Sequence, residues 1–302
     1  MKQNKVLVTG GAGFIGSYLV DELVQRGHEV VVVDNLSTGK QKNINPQAQF
    51  IQANIQDMNE IDKDIRYIFH LAAIPRTQYC VVNPVECHEA NVNGTIRILE
   101  LARSLPKFKK FILASSCAIY GPQEVLPIKE TAPINLGTTY ALQKYIQELY
   151  TKTYTNLYQI SSVILRLFGT YGTTRQSESG DYPNVLAAFV KQKQTQGYLE
   201  ITGDGKQTRD MVHVNDVVNA FIIAMESNIK NGEEFNVGSG EHRSINQIAG
   251  FFNCDIKYVA PRPGEAKHFC SDISKIMREL NWEPQISFSE GIKYYLKQVE
   301  KK

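Results

Sequence analysis

The chain has 302 residues, 42% of them hydrophobic and 21% charged, enough to bury a sizeable core in one or two domains. Lys and Arg number 33 against 31 Asp and Glu, a net charge of +2, and no basic patch is interleaved with aromatics, so nucleic acid is not an expected partner. No apolar run reaches the length of a membrane span and no leader pattern precedes the first strand, so a cytoplasmic protein is expected.

The first apolar run, Val6-Leu7-Val8, reads as a buried parallel strand and leads into Thr9-Gly10-Gly11-Ala12-Gly13-Phe14-Ile15-Gly16. From there Phe14, Ile15, Tyr18, Leu19, Leu23 and Val24 recur at helical spacing through residue 26. Strand, glycine turn and helix in this order are the context of a dinucleotide fingerprint. Gly10 and Gly13 let backbone amides approach a pyrophosphate, and Gly16 lets the helix lie close on the strand. The helix N-terminus then presents free N–H groups to the phosphates. A second strand, Glu29 to Val33, ends in Asp34 at the distance expected of the acid that binds the adenosine ribose. A carboxylate there repels a 2′-phosphate, which predicts NAD rather than NADP. The bland alternative is a glycine turn that only links strand and helix.

Asn35 to Lys40 is a polar loop suited to covering the adenosine. Residues 49–53 read as a third strand, followed by Asn54-Ile55. A fourth strand, 66–70, runs through His70 into Leu71-Ala72-Ala73, small residues that suit the crevice at a strand's C-terminal end. His70 itself reads as a packed strand-end histidine. Residues 84–104 carry a long helical pattern, and a strand over 111–114 leads into Ser115-Ser116-Cys117-Ala118-Ile119-Tyr120. Strands alternating with helices predict an α/β fold, a doubly wound parallel sheet with right-handed crossovers. The next helix, 138–158, holds Tyr140 and Lys144, four apart and so on one face. Lowering a tyrosine from a pKa of about 10 to about 7 takes roughly 4 kcal/mol. A cation about 4 Å away at an effective dielectric near 20 supplies roughly that. Tyr140 therefore reads as a general base with Lys144 as its electrostatic partner; the alternative is a core aromatic beside a solvated lysine. After a strand over 162–168 the pattern loosens, and residues 173–183 form a polar, mobile-looking loop. Short strands at 199–201, 211–214 and 234–237 and helices at 217–225, 273–280 and 289–299 read as a smaller lobe, part of which returns to the sheet. The five cysteines are odd in number without C-x-x-C, which argues against a disulfide framework or structural zinc. The six histidines show no ligand spacing, so no metal is expected.

Together these residues resemble the extended short-chain dehydrogenase/reductase family, in its nucleotide-sugar epimerase/dehydratase branch. The motifs that carry the resemblance are the glycine turn, Asp34-Asn35-Leu36, His70-Leu71-Ala72-Ala73, Asn91-Val92-Asn93-Gly94-Thr95, Ser115-Ser116, Tyr140/Lys144, Gly203-Asp204-Gly205, Arg209-Asp210, Phe235-Asn236-Val237-Gly238 and Arg262-Pro263-Gly264-Glu265. The resemblance implies an NAD-binding Rossmann domain over 1–168, rejoined around 209–237, and a mainly nucleotide-sugar-binding lobe over 169–302. It makes Tyr140 the base, Lys144 its partner and a ribose ligand, and Ser116 the hydroxyl on the reacting sugar oxygen. Asn91 is implied near the nicotinamide, with Asn54 and Ile55 on the adenine side. Arg209 and Arg262 match a guanidinium pair on the substrate diphosphate, a task suited to planar, permanent charges. A homodimer is implied through helices matching 84–104 and 138–158.

In the 4,6-dehydratases of this family an Asp–Glu pair follows the catalytic hydroxyl residue; here those positions are Cys117 and Ala118. Alanine cannot take a proton, so the resemblance favours C4 epimerisation of a UDP-hexose through a transient 4-keto sugar. A thiol at the acid's position keeps open a dehydratase, in which Cys117 protonates a leaving hydroxyl. The other reading of Cys117 is a small, inert space-filler. A non-catalytic NAD-binding regulator on the same scaffold is a third reading. Gly169 stands where the epimerases carry Asn. Phe269, seven residues after Arg262, is the bulky aromatic that by analogy favours UDP-glucose and UDP-galactose over N-acetyl sugars.

Overall fold

The computed structural model describes residues 3–172, 175, 185–260 and 268–300. In chain order the first half comprises β1 (Lys5–Thr9), α1 (Phe14–Gln25), β2 (Glu29–Asp34), β3 (Gln49–Gln52), β4 (Ile65–His70), α2 (Thr77–Val82), α3 (Pro84–His88), α4 (Gly94–Arg103), β5 (Lys110–Ser116), α5 (Thr139–Tyr158) and β6 (Ser162–Leu167). It continues with β7 (Gly169–Tyr171), α6 (Val185–Gln196), β8 (Tyr198–Thr202), β9 (Thr208–Arg209), β10 (Met211–His213), α7 (Val214–Glu226) and β11 (Asn231–Val237). The last elements are β12 (Arg243–Ser244), α8 (Ile245–Ala249), β13 (Asp255–Val259), α9 (Ser274–Leu280) and α10 (Phe288–Glu300).

Seven strands form one sheet in the order β3–β2–β1–β4–β5–β6–β11, every pair parallel. This is the doubly wound Rossmann arrangement expected from the alternating pattern. Its central strands are apolar on both faces because both faces are covered by helices. On one side Val6, Val8 and Val32 pack with Leu19 and Leu23 of α1 and with Val217 and Phe221 of α7. On the other, Leu7, Val31, Val33 and Ile164 meet Ile98 and Leu99 of α4. The chain leaves β3 at one edge and re-enters at β4 beyond β1, so a crevice opens at the C-terminal ends of β1 and β4, where the strand order reverses. Strand β11 returns beside β6, pairing from Asn231 with Ser162 to Val237 with Leu167.

A second core gathers Tyr171, Leu186, Phe189, Leu199, Phe252, Phe288 and Tyr295, under the parallel pair β13–β8. Helix α6 and strand β13 in this lobe carried no sequence expectation. Leu186, Phe189 and Val190 of α6 are buried at helical spacing, but Gln, Lys and Thr dilute the stripe beyond them.

Two expectations need correction. Residues 84–104 are not one regular helix: α3 and α4 are joined by a π-helical turn, Glu89–Asn93. The wide turn frees the Asn91 carbonyl, which accepts from Gln147 Nε2 and Thr95 Oγ1, each at 2.6 Å. The cysteines are not all free: Cys80 and Cys87 are joined, with Cα atoms 5.5 Å apart, because the corner between α2 and α3 folds their positions together. Composition gave no sign of that corner.

Candidate active site

A cavity of about 430 Å³ lies at the C-terminal ends of the central strands. At one end it is lined by Gly10, Gly13, Phe14, Ile15 and Gly16 with Asp34 and Asn35; Ile55 forms part of the side wall. Leu71, Ala72 and Ala73 follow β4, and Ser116, Tyr140 and Lys144 line the other end. Residues 130 apart in sequence thus converge on one crevice because the sheet aligns all their strand ends.

The glycine end is shaped by close packing. A Cβ at Gly16 would stand 2.2 Å from the Gly10 carbonyl oxygen, so only glycine lets α1 begin this near the turn. Helix α1 has Gly13 at its N-cap and so no side-chain cap, leaving its first amides to the cavity. Asp34 is buried; its carboxylate accepts from the amides of Ala12 at 3.0 Å and Leu36 at 2.8 Å. Burial raises its pKa, and those two amides oppose the rise. An uncapped helix N-terminus, a cradle that any Cβ would fill and a carboxylate facing the same space fit a dinucleotide such as NAD. Asn54 does not line the cavity: it accepts from Asn35 Nδ2 at 2.9 Å and donates to Asp57 at 2.9 Å, orienting the residue that does.

Asn91 also lies behind the wall. It is fully buried, accepting from the Ile74 amide at 2.7 Å and donating to Gln143 Oε1 at 2.9 Å, so it fixes the β4–α2 loop. His70 is a packed histidine: Nδ1 bonds Thr9 at 2.8 Å and Nε2 bonds Thr95 at 2.9 Å. Burial, with the Lys144 charge adding to it, lowers its pKa to about 3.

At the chemical end Ser116 accepts from the Ala118 amide at 3.2 Å, capping the turn Cys117–Tyr120. Tyr140 packs against Ala118 and the Cys80–Cys87 pair, 7% exposed. Its phenol is raised, not lowered, in the chain alone, contrary to the expectation from helical spacing. Burial pushes it up to about 12; a hydrogen bond with Ser116 pulls it down and the Cys117 thiol adds to the rise. Helical spacing alone would put the Lys144 charge beside the phenol. In the fold the ammonium donates to the Ala114 carbonyl at 2.8 Å, and burial lowers it to about 8, with Glu148 opposing the fall. Cys117 is half-buried among Ile119, Tyr120 and Phe168, and does not line the cavity. Desolvation, then the Asp210 charge, raises its thiol to about 12.

Arg209 and Phe269 lie outside this cavity, with the guanidinium 5.9 Å from the ring centroid. Arg262 lies outside the described residues. Gly169 packs on β10: a Cβ there would meet the Asp210 carbonyl at 2.6 Å and the Met211 sulfur at 2.9 Å, so a side chain here would force the neighbouring backbone to shift. The wall also includes Ile74, Pro75 and Arg76 after β4 and Phe168 and Thr170 after β6, residues whose types carry no sequence signal of a site. Arg175 reaches α1, pairing with Asp21 at 2.6 Å and lying 4.6 Å from the Tyr18 ring centroid. Among the described residues no helix is long and apolar enough to cross a membrane.

Residues 6–238 match the model of the NAD dependent epimerase/dehydratase family. A Methanocaldococcus jannaschii protein, provisionally named a UDP-glucose 4-epimerase, is 40% identical over 299 residues, covering 95% of this chain and 96% of its own. A Thermotoga maritima UDP-glucose 4-epimerase solved with UDP-glucose superposes with a TM-score of 0.92 at 35% identity, over 98% of this chain and 99% of that one. A Methanobrevibacter ruminantium UDP-N-acetylglucosamine 4-epimerase, in complex with UDP-N-acetylmuramic acid, gives 0.93 at 32% identity, over 100% and 99%.

Proposed function

The chain belongs to the NAD-dependent epimerase/dehydratase family, and we propose that it is an enzyme that inverts C4 of a UDP-hexose, with Tyr140 as the proton-transfer group. The observation that carries this reading is the chemistry of the wall beside Tyr140. Among the described residues lining the cavity the one carboxylate is Asp34, at the opposite, glycine end. Proton transfer at a sugar hydroxyl needs only the Ser116–Tyr140 pair, whereas abstraction of a C5 proton needs a further base that the wall lacks.

Bound NAD supplies a cationic ring and a reversible hydride acceptor. The chain's residues do the rest. Ser116 holds the C4 oxygen by a hydrogen bond, and Tyr140 takes the proton of that hydroxyl and returns it when the opposite configuration forms. A phenol near 12 must first be acidified, and the positive charge of the loaded site, with the hydrogen bond from Ser116, supplies that pull. Cys117, raised to about 12 and turned into an apolar cluster, is a poor acid for a leaving hydroxyl, which weighs against the elimination reading. Arg209 and Arg262 serve the diphosphate, and Phe269 narrows the sugar end toward hexoses without an N-acetyl group. Residues 1–168 with the returning segment serve the cofactor, and 169–302 mainly the sugar nucleotide. The active form is a homodimer: Val82, Val85 and Leu157 are 74%, 74% and 67% exposed on α2, α3 and α5, a face that suits a second copy.

Proton NMR with NAD and UDP-glucose or UDP-N-acetylglucosamine in deuterated water tests the reading. A galacto-configured product without ring deuterium is expected, from UDP-glucose in preference. A 4-keto or olefinic product, or deuterium at C5, overturns it in favour of elimination.

A further inference from the structure

Helix α5 carries a third buried polar residue on the stripe of Tyr140 and Lys144. Glu148, one more turn on, is 1% exposed. Its carboxylate accepts from Ser115 Oγ at 2.5 Å and from Arg166 at Nε, 3.0 Å, and Nη2, 2.8 Å. Arg166, also buried, donates Nη1 to the Tyr120 hydroxyl at 2.9 Å. Ser115 and Tyr120 stand on either side of the segment 116–119, so one carboxylate ties both ends of the turn that carries Ser116. The same charge opposes the fall that burial imposes on Lys144.

Resting on the epimerase reading of this site, we propose that Glu148 is a positioning residue for the reaction, the counter-charge of Lys144 and the anchor of the strand end that presents Ser116. Two buried cations, Lys144 and Arg166, flank this one carboxylate. Arg166 has a second acid, Glu234, 3.8 Å away, whereas the Lys144 ammonium donates to a neutral carbonyl. Neutralising Glu148 therefore takes the close partner from Arg166, which keeps Glu234, and removes the negative charge that supports Lys144. The titratable groups that face Lys144 are Glu148 and Tyr140 one turn to either side on its own helix and His70 from β4; Arg166 and Glu234 stand behind Glu148, and Cys117 acts on Tyr140. Of these, Glu148 is the anion next along the helix from Lys144.

The test is Glu148→Gln, read first by NMR titration of the Lys144 side chain in the cofactor-free protein, with Lys144→Arg assigning the signal. The midpoint is expected to fall from about 8 by about one pH unit or more. In turnover, the alkaline limb of kcat moves to lower pH by the same amount, with KM changed less than kcat. If Arg166 without its partner unfolds the single variant, Glu148→Gln/Arg166→Met removes both charges and must still lower Lys144. Ser115→Ala separates the two roles: kcat falls while the Lys144 midpoint stays. An unmoved Lys144 in Glu148 variants overturns the counter-charge role. If no UDP-sugar turns over at all, the epimerase reading fails, and the titration still decides the inference.

Discussion

Tyr140 and Cys117 have phenol and thiol raised to the same value, about 12, yet the fold gives them different prospects. Tyr140 lines the cavity and holds Ser116, so a cation arriving in the cavity acts on it directly; Cys117 is turned into an apolar cluster. Tyr140→Phe is expected to lower kcat by about 10²–10⁴, the usual worth of a general base, while NAD affinity measured by calorimetry changes little. Cys117→Ala is expected to keep near-full turnover in the NMR assay; a loss as deep as that of Tyr140→Phe would restore the elimination reading. His70 gives a pH signature. Its folded pKa, about 3, lies below the ordinary 6.5, so as pH falls the unfolded chain binds the proton first. Stability from this group is complete above pH 6.5 and is lost on the way down to about 3, by up to about 5 kcal/mol. Chemical unfolding of His70→Asn should follow a flatter acid limb over that window than the parent protein.

Among elements, the short pair β7–β10 and the start of α1 set the cavity's shape by close contact. Gly169→Asn, which would restore the residue usual in the epimerases, is expected to destabilise rather than improve binding, because its Cβ meets the Asp210 backbone. A melting temperature at or above that of the parent would refute this. Helix α1 is also gripped from outside. Asp21 accepts from Asn45 Nδ2 at 2.8 Å and from Arg175 at 2.6 Å, joining the adenosine-side loop to the segment after β7. Asp21→Asn should therefore speed NAD release in a stopped-flow chase by several-fold with little change in kcat at saturating NAD.

At the scale of the molecule, Val82, Val85, Leu149 and Leu157 on α2, α3 and α5 are exposed, and the proposed dimer would cover them. Leu149→Lys with Val85→Glu is expected to give a folded monomer by light scattering; an unchanged mass would place the interface elsewhere. The Rossmann frame and the glycine end of the cavity could be read from the chain alone. Glycine turn, strand and acid are local in the chain, and each states its own backbone demand. Glu148 drew no expectation from the sequence: it lies one turn beyond Lys144, but an acid on a helix face reads as solvated until the fold shows it buried. Only the tertiary structure decided the rest: that Asn91 and Asn54 stand behind the wall, that Cys80 meets Cys87, that Gly169 is forced by a neighbouring strand, and that the Tyr140 phenol is high in the chain alone. Each depends on what is packed against a residue from distant sequence, and desolvation by those neighbours outweighs the charge that helical spacing brings near.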